Sequence, residues 1–147
     1  MMISDARGGY YFSVVNESPS PLLALALRCN GHAPRLARRA FDSVPEAAPV
    51  LDDARLVASE LVNNAVLHSG CAPDDIIRVA AQLDDGFLII SVHNPGVAPL
   101  TEERCQAEGN PERVGFGLRV VQHLAARWGI ESPDEHRVWA ALALSPS

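Results

Sequence analysis

The chain has 147 residues, a length that suits one domain with a sizeable core. Its hydrophobic content of 48% argues against disorder, and its net charge of −6 argues against an electrostatic grip on nucleic acid or an anionic membrane. All twelve basic residues are arginine, which excludes a P-loop, a protein-kinase fold of the usual kind and Schiff-base chemistry, each of which needs a lysine.

Residues 1–20 are punctuated by Gly8, Gly9 and Pro19 and read as a tail, with Tyr10 to Val15 as an extra strand at most. Residues 21–147 read as a single domain. Leu22 to Arg28 is the expected first strand. Asn30-Gly31 turns the chain, and Pro34 opens a helix through about Ser43 whose arginines, Arg35, Arg38 and Arg39, form a solvated face. After a loop from Pro45 to Pro49, Asp52 or Asp53 is placed to cap a helix that runs to about His68. Ile76 to Leu83 and Gly86 to Val92 are apolar runs separated by Asp84-Asp85, a hairpin pattern.

Residues 93–114 lack periodicity, and a loop of that length in a compact domain is usually functional. Gly115 to Trp128 reads as a helix with Leu118, Val121, Leu124, Ala125 and Trp128 on one face. Arg137 to Leu144 is a final buried strand. No apolar run reaches the length of a membrane span, and no secretory signal precedes the first strand. Cys29, Cys71 and Cys105 are odd in number and far apart. They fit neither a disulfide framework nor a zinc site, so the expected compartment is a reducing cytoplasm.

The helix before His68 carries the most information. At 100° per residue, Glu60, Asn64 and His68 fall on one line bordered by Leu56, Val57, Leu61, Ala65 and Leu67. Desolvating a carboxylate, an amide and an imidazole costs free energy unless each finds a partner. Two explanations stand level on the helix alone. One is a buried polar network within the protein. The other is a ligand with a metal ion, for which the carboxylate offers proton chemistry, the amide oxygen a hard-cation ligand and the imidazole a hydrogen bond. Two further features are weaker. His93-Asn94-Pro95-Gly96 follows a strand, and Gly96 permits a sharp turn or close ligand approach. Gly115-Phe116-Gly117-Leu118 opens a helix, where backbone N–H groups can face an anion.

In that order the three segments resemble the ATP-binding domain shared by gyrase, heat-shock protein 90 and sensor histidine kinases. Within it the chain is most similar to the short anti-sigma-factor serine kinases of bacteria, over roughly residues 22–144. Glu60 to His68 resembles the N box, His93 to Gly96 the first glycine box, and Gly115 to Leu118 the second. The resemblance implies a Bergerat-type α/β two-layer sandwich, a mixed sheet with helices on one face. It implies ATP and Mg²⁺ as cofactors, Glu60 as general base and Asn64 as the magnesium ligand. His68, Asn94, Gly96, Gly115, Gly117 and Leu118 would complete the nucleotide site, under a mobile lid between the glycine boxes. The implied activity is phosphorylation of an anti-anti-sigma antagonist on serine by a protein that also binds a sigma factor, with a homodimer as a further association. Two positions depart from the pattern. Asn94 stands where the family has an adenine-binding Asp, and Ala98 replaces a glycine. These departures support a rival reading, a non-catalytic binding module, while a phosphatase or ATPase using Glu60 on water is a third.

Overall fold

The computed structural model describes residues 21–94, 111–131 and 137–145, with side chains in the third helix described from Leu118 onward. The elements follow one another as β1 (Leu23–Arg28), α1 (Ala33–Ala40), α2 (Leu51–His68), β2 (Ile76–Asp84), β3 (Phe87–His93), α3 (Pro111–Leu124), β4 (Arg127–Ile130) and β5 (Arg137–Ala143). Two 3₁₀ segments, Phe41–Ser43 and Pro45–Val50, join α1 to α2. The expected tail at 1–20 lies outside the described residues.

The five strands form one sheet in the order β1-β2-β3-β5-β4. All four pairings are antiparallel, so the sheet is antiparallel where a mixed one was expected. The two-layer α/β architecture is as anticipated. Its cause is the period-2 pattern of the strands. Val79, Val92 and Val138 are in register across β2, β3 and β5, as are Ala81, Ile90 and Ala140, and all six are buried. Helix α2 packs over this row, with α1 on one flank and α3 on the other. Phe41, Leu61, Ile77, Leu88, Leu118 and Leu142 are the largest of the side chains filling the space between the layers.

Local chemistry explains the boundaries. Asp85 and Gly86 adopt φ of 53° and 84°, and these two residues are the whole of the β2–β3 loop. Positive φ at both central positions is the requirement of a type I′ hairpin, so the turn falls one residue later than the Asp84-Asp85 pattern indicated. Asp52 and Asp53 lie inside the first turn of α2, and Val50 occupies the N-cap with no side-chain hydrogen bond. The two carboxylates therefore act on the helix dipole rather than as caps.

Helix α3 begins at Pro111 and ends at Leu124, four residues earlier at each end than expected. Proline suits a first helical turn because its missing N–H has no partner to lose there. At the other end, the Ala126 amide donates to Ala141 O at 2.8 Å, which starts the pairing with β5. Trp128 thus belongs to strand β4, opposite Ala140, and not to a helix face. A four-residue strand carries too little periodicity to announce itself.

Gly129 is opposite Trp139 in that pairing, and a Cβ built on it would lie 3.0 Å from the indole Nε1. Glycine lets the indole lie flat across β4. Gly129→Ala is expected to displace the ring and destabilise the fold by about 1 kcal/mol, the low end of overpacking costs. The measurement is a thermal melt alongside indole fluorescence, with a fall of roughly 2–4 °C.

The cysteine expectation is corrected. Cys29, one residue past β1, and Cys71, three residues past α2, are disulfide-bonded, with Cα atoms 6.4 Å apart. A separation of 42 residues hides the pair in the sequence, but the β1–β2 pairing brings the two segments together. Among the described residues, no helix is long and apolar enough to cross a membrane, and no group of three His, Cys, Asp or Glu is placed to hold a metal.

Candidate functional site

Helix α2 places the polar line as its periodicity dictates. Asn64 is 4% exposed and His68 is 7% exposed, while Glu60, one turn earlier, is half-buried. Burial of Val57, Ala58, Leu61, Val62 and Ala65 holds the helix against the sheet and α1, and fixes the direction in which the three polar groups point. Leu67, expected to border the line, is 47% exposed, so the line runs at the rim of the buried face and not through its centre.

The electrostatics at Glu60 follow from this placement. Desolvation by burial raises its carboxyl above the usual glutamate range, and the positive charge of Arg38 on α1 partly offsets the rise. Arg38 was expected only on a solvated face. It is exposed, as anticipated, yet its charge acts on Glu60. The sequence holds no periodic marker for that proximity, because it arises from the packing of α1 on α2. A raised carboxyl pKa brings the group closer to neutral pH, which favours work as a base.

The sign for stability runs the same way. Protonated Glu60 is favoured by the fold, so its contribution is fully present below the unfolded value. It is lost as pH rises through the elevated folded value. Glu60→Gln is therefore expected to melt no lower than the parent at neutral pH, and the advantage should vanish in acid. Melts at several pH values check this.

Asn64 carries the clearest anomaly. Its Nδ2 is buried and has no hydrogen-bond partner among the described residues. A buried N–H without an acceptor costs free energy, so Nδ2 calls for an acceptor from outside the described residues. Such an amide fits a ligand with a metal ion, since the same side chain offers its oxygen to a hard cation. Ser59, beside Glu60, donates its hydroxyl to Leu56 O at 2.9 Å and is thereby occupied within the helix.

Strand β3 delivers Asn94 immediately after its last residue, His93, and Asn94 is 5% exposed. It has the same alternation as Val92, which faces the helix layer, whereas His93 is exposed. Ile76, Arg78 and His93, on the sheet face away from α2, line with Asn94 an open groove of about 300 Å³. Gly96 and the expected lid lie outside the described residues, apart from the first turn of α3. Gly115 and Gly117 are inside α3, not at its start. In this conformation the unbonded amides of the helix start belong to residues ahead of Gly115, so the glycines do not themselves cradle an anion. Leu118 is 1% exposed and serves the core.

Helix α2, which bears the polar line, packs on strand β3, which leads to Asn94, and on helix α3. The sequence profile of the histidine kinase-like ATPase domain matches residues 30–142, most of the chain and all of these elements except β1 and the last residue of β5. The chain belongs to the histidine kinase-like ATPase family. This family assignment agrees with the resemblance read from the N box and the two glycine boxes. A curated relative is the anti-sigma F factor of Pasteuria penetrans, 30% identical over 99 residues. The match covers 60% of this chain, and the chain spans 65% of that relative's length.

Proposed function

We propose that the protein is an anti-sigma regulatory factor that binds ATP with Mg²⁺ and phosphorylates a protein antagonist on serine. The observation that carries the reading is Asn64, a buried amide whose Nδ2 lacks a partner among the described residues, one helical turn from the raised carboxyl of Glu60. The ATPase family and the anti-sigma F factor relative support it. Asn64 would hold the magnesium ion, and Asn94 would accept from the adenine amino group. When bound, ATP supplies the phosphoryl group and Mg²⁺ neutralises its charge. Phosphoryl transfer asks little covalent help of a protein, so the work left to the chain is positioning. Glu60 would orient the serine hydroxyl and take its proton. His68 would hydrogen-bond at the far end of the line, and the amides at the start of α3, ahead of Gly115, would favour negative charge there. A sigma factor and an anti-anti-sigma antagonist are the partners in this reading, and the compartment is the cytoplasm.

The test is calorimetry of ATP binding with and without magnesium, followed by incubation with radiolabelled ATP and a candidate antagonist. Label on an antagonist serine supports the kinase. Magnesium-dependent binding without transfer supports a regulatory module that acts by contact alone.

Asn94 is the observation that favours that second reading. An aspartate accepts with charge assistance, and such hydrogen bonds are about twice as strong as neutral ones. Asn94→Asp is expected to tighten ATP binding by roughly tenfold, equivalent to about 1–2 kcal/mol, and to sharpen discrimination against GTP. Unchanged affinity in the variant would make Asn94 a neutral replacement.

A further inference from the structure

We propose that Cys29 and Cys71 are a reversible dithiol–disulfide clasp that sets how firmly the C-terminal end of α2 is held to the sheet. The position of the pair is the first argument. Cys29 continues β1, and Cys71 begins the connection from α2 to β2, so the bond ties the end of the helix bearing His68 to an edge strand.

The second argument is a chain of contacts leading from Cys71 back into the helix. The Cys71 amide donates to Ser69 Oγ at 3.2 Å, and the same hydroxyl donates to Ala65 O at 2.6 Å. Ser69 is fully buried, so it has no alternative water partner to take up if Cys71 shifts. Ala65 adjoins Asn64, and His68 adjoins Ser69. On the other side, the Cys29 amide donates to Asp75 O at 3.0 Å, and Asp75 closes the connection by accepting from the Ala72 amide at 2.8 Å. The clasp therefore joins two segments that are already in register, and its closure needs no rearrangement of the sheet.

The third argument is access. Cys29 is 5% exposed, whereas Cys71 is half-buried. A small thiolate reaches the Cys71 sulfur, forms a mixed disulfide there and releases Cys29 as a thiolate that takes up a proton. A second thiolate attacks the reductant's sulfur in that mixed disulfide and displaces Cys71, which takes up a proton, leaving two protein thiols and one oxidised reductant. The reverse reaction, driven by glutathione disulfide, transfers two electrons from the protein thiols and yields two glutathione thiols. Closing a loop of this length restricts the unfolded chain and holds the α2 end in place.

The test uses the full chain with Cys105→Ser, so that two cysteines remain. Samples equilibrated in dithiothreitol or in glutathione buffers are alkylated and weighed, melted, and followed by amide exchange across residues 65–71. The expected result is loss of two alkylatable thiols on oxidation and their return on reduction. The oxidised protein should melt roughly 5–15 °C higher. Its exchange at 65–71 should slow several-fold, with β3 unaffected. Adding Cys71→Ser, a half-buried site that tolerates a hydroxyl, should abolish every redox difference. Two thiols that stay free in glutathione disulfide would overturn the proposal, as would a disulfide that forms without altering exchange at 65–71. Magnesium-ATP titration in both states adds a readout that rests on the proposed function. A several-fold difference would couple the clasp to the nucleotide site. Failure to bind in either state would count against that function alone, because thiol count and exchange decide the clasp.

Discussion

In Asn64→Ala protein, ATP affinity is expected to stop responding to magnesium. Asn64 is 4% exposed, and its side-chain nitrogen lacks a partner among the described residues, so those residues lose no hydrogen bond to that nitrogen on truncation. Truncation leaves a small space beside Leu61 and Ala65, so the variant should fold and melt near the parent temperature. What it loses is the only function proposed for the amide oxygen, ligation of a hard cation. The expected change is a fall of at least tenfold in ATP affinity in magnesium, with little change in its absence. Calorimetry in magnesium and in chelator measures both. Equal affinity in parent and variant in the presence of magnesium would remove Asn64 from the metal site. A variant that fails to melt cooperatively would instead identify Asn64 as a structural group.

Glu60→Gln is expected to separate binding from chemistry. The amide preserves the shape of the carboxylate and removes its basicity. Loss of a general base lowers turnover by roughly a hundredfold or more, while ATP affinity should stay within a few-fold of the parent. The pH profile adds an independent signature. Burial raises the Glu60 carboxyl, so activity should fall on the acid side at a pH above that of an ordinary glutamate. Arg38 opposes this rise, so Arg38→Ala should move the acid limb further up. Unchanged turnover in Glu60→Gln would return the carboxylate to a structural role.

The parts of the fold legible in the sequence were those with sustained periodicity or a long apolar run. Helix α2 runs 18 residues, with its polar line of Glu60, Asn64 and His68 readable from the period. β2, β3 and β5 are apolar runs of seven or more residues that could be read as strands before their neighbours were known. What escaped depends on tertiary proximity. The bond between Cys29 and Cys71 requires the β1–β2 pairing, and the effect of Arg38 on Glu60 requires α1 to lie on α2. Strand β4 escaped because Trp128 continues a helical spacing that the Ala126 hydrogen bond cuts short. The start of α3 was misread because glycine suggests a boundary, whereas Pro111 opens the helix a turn earlier.

The order of the strands bears on how the domain would lose its activity on heating. β3 lies third among the five, bonded on both sides, and Asn94 leaves from its end. Among the described residues β1 and β4 are the outer strands, and fraying is expected to begin there. If Asn94 meets the nucleotide as proposed, its place in the middle of the ladder shields it from those partial openings until the whole sheet gives way. Loss of nucleotide affinity on heating should therefore be abrupt, coincident with global melting, rather than a gradual decline that precedes it.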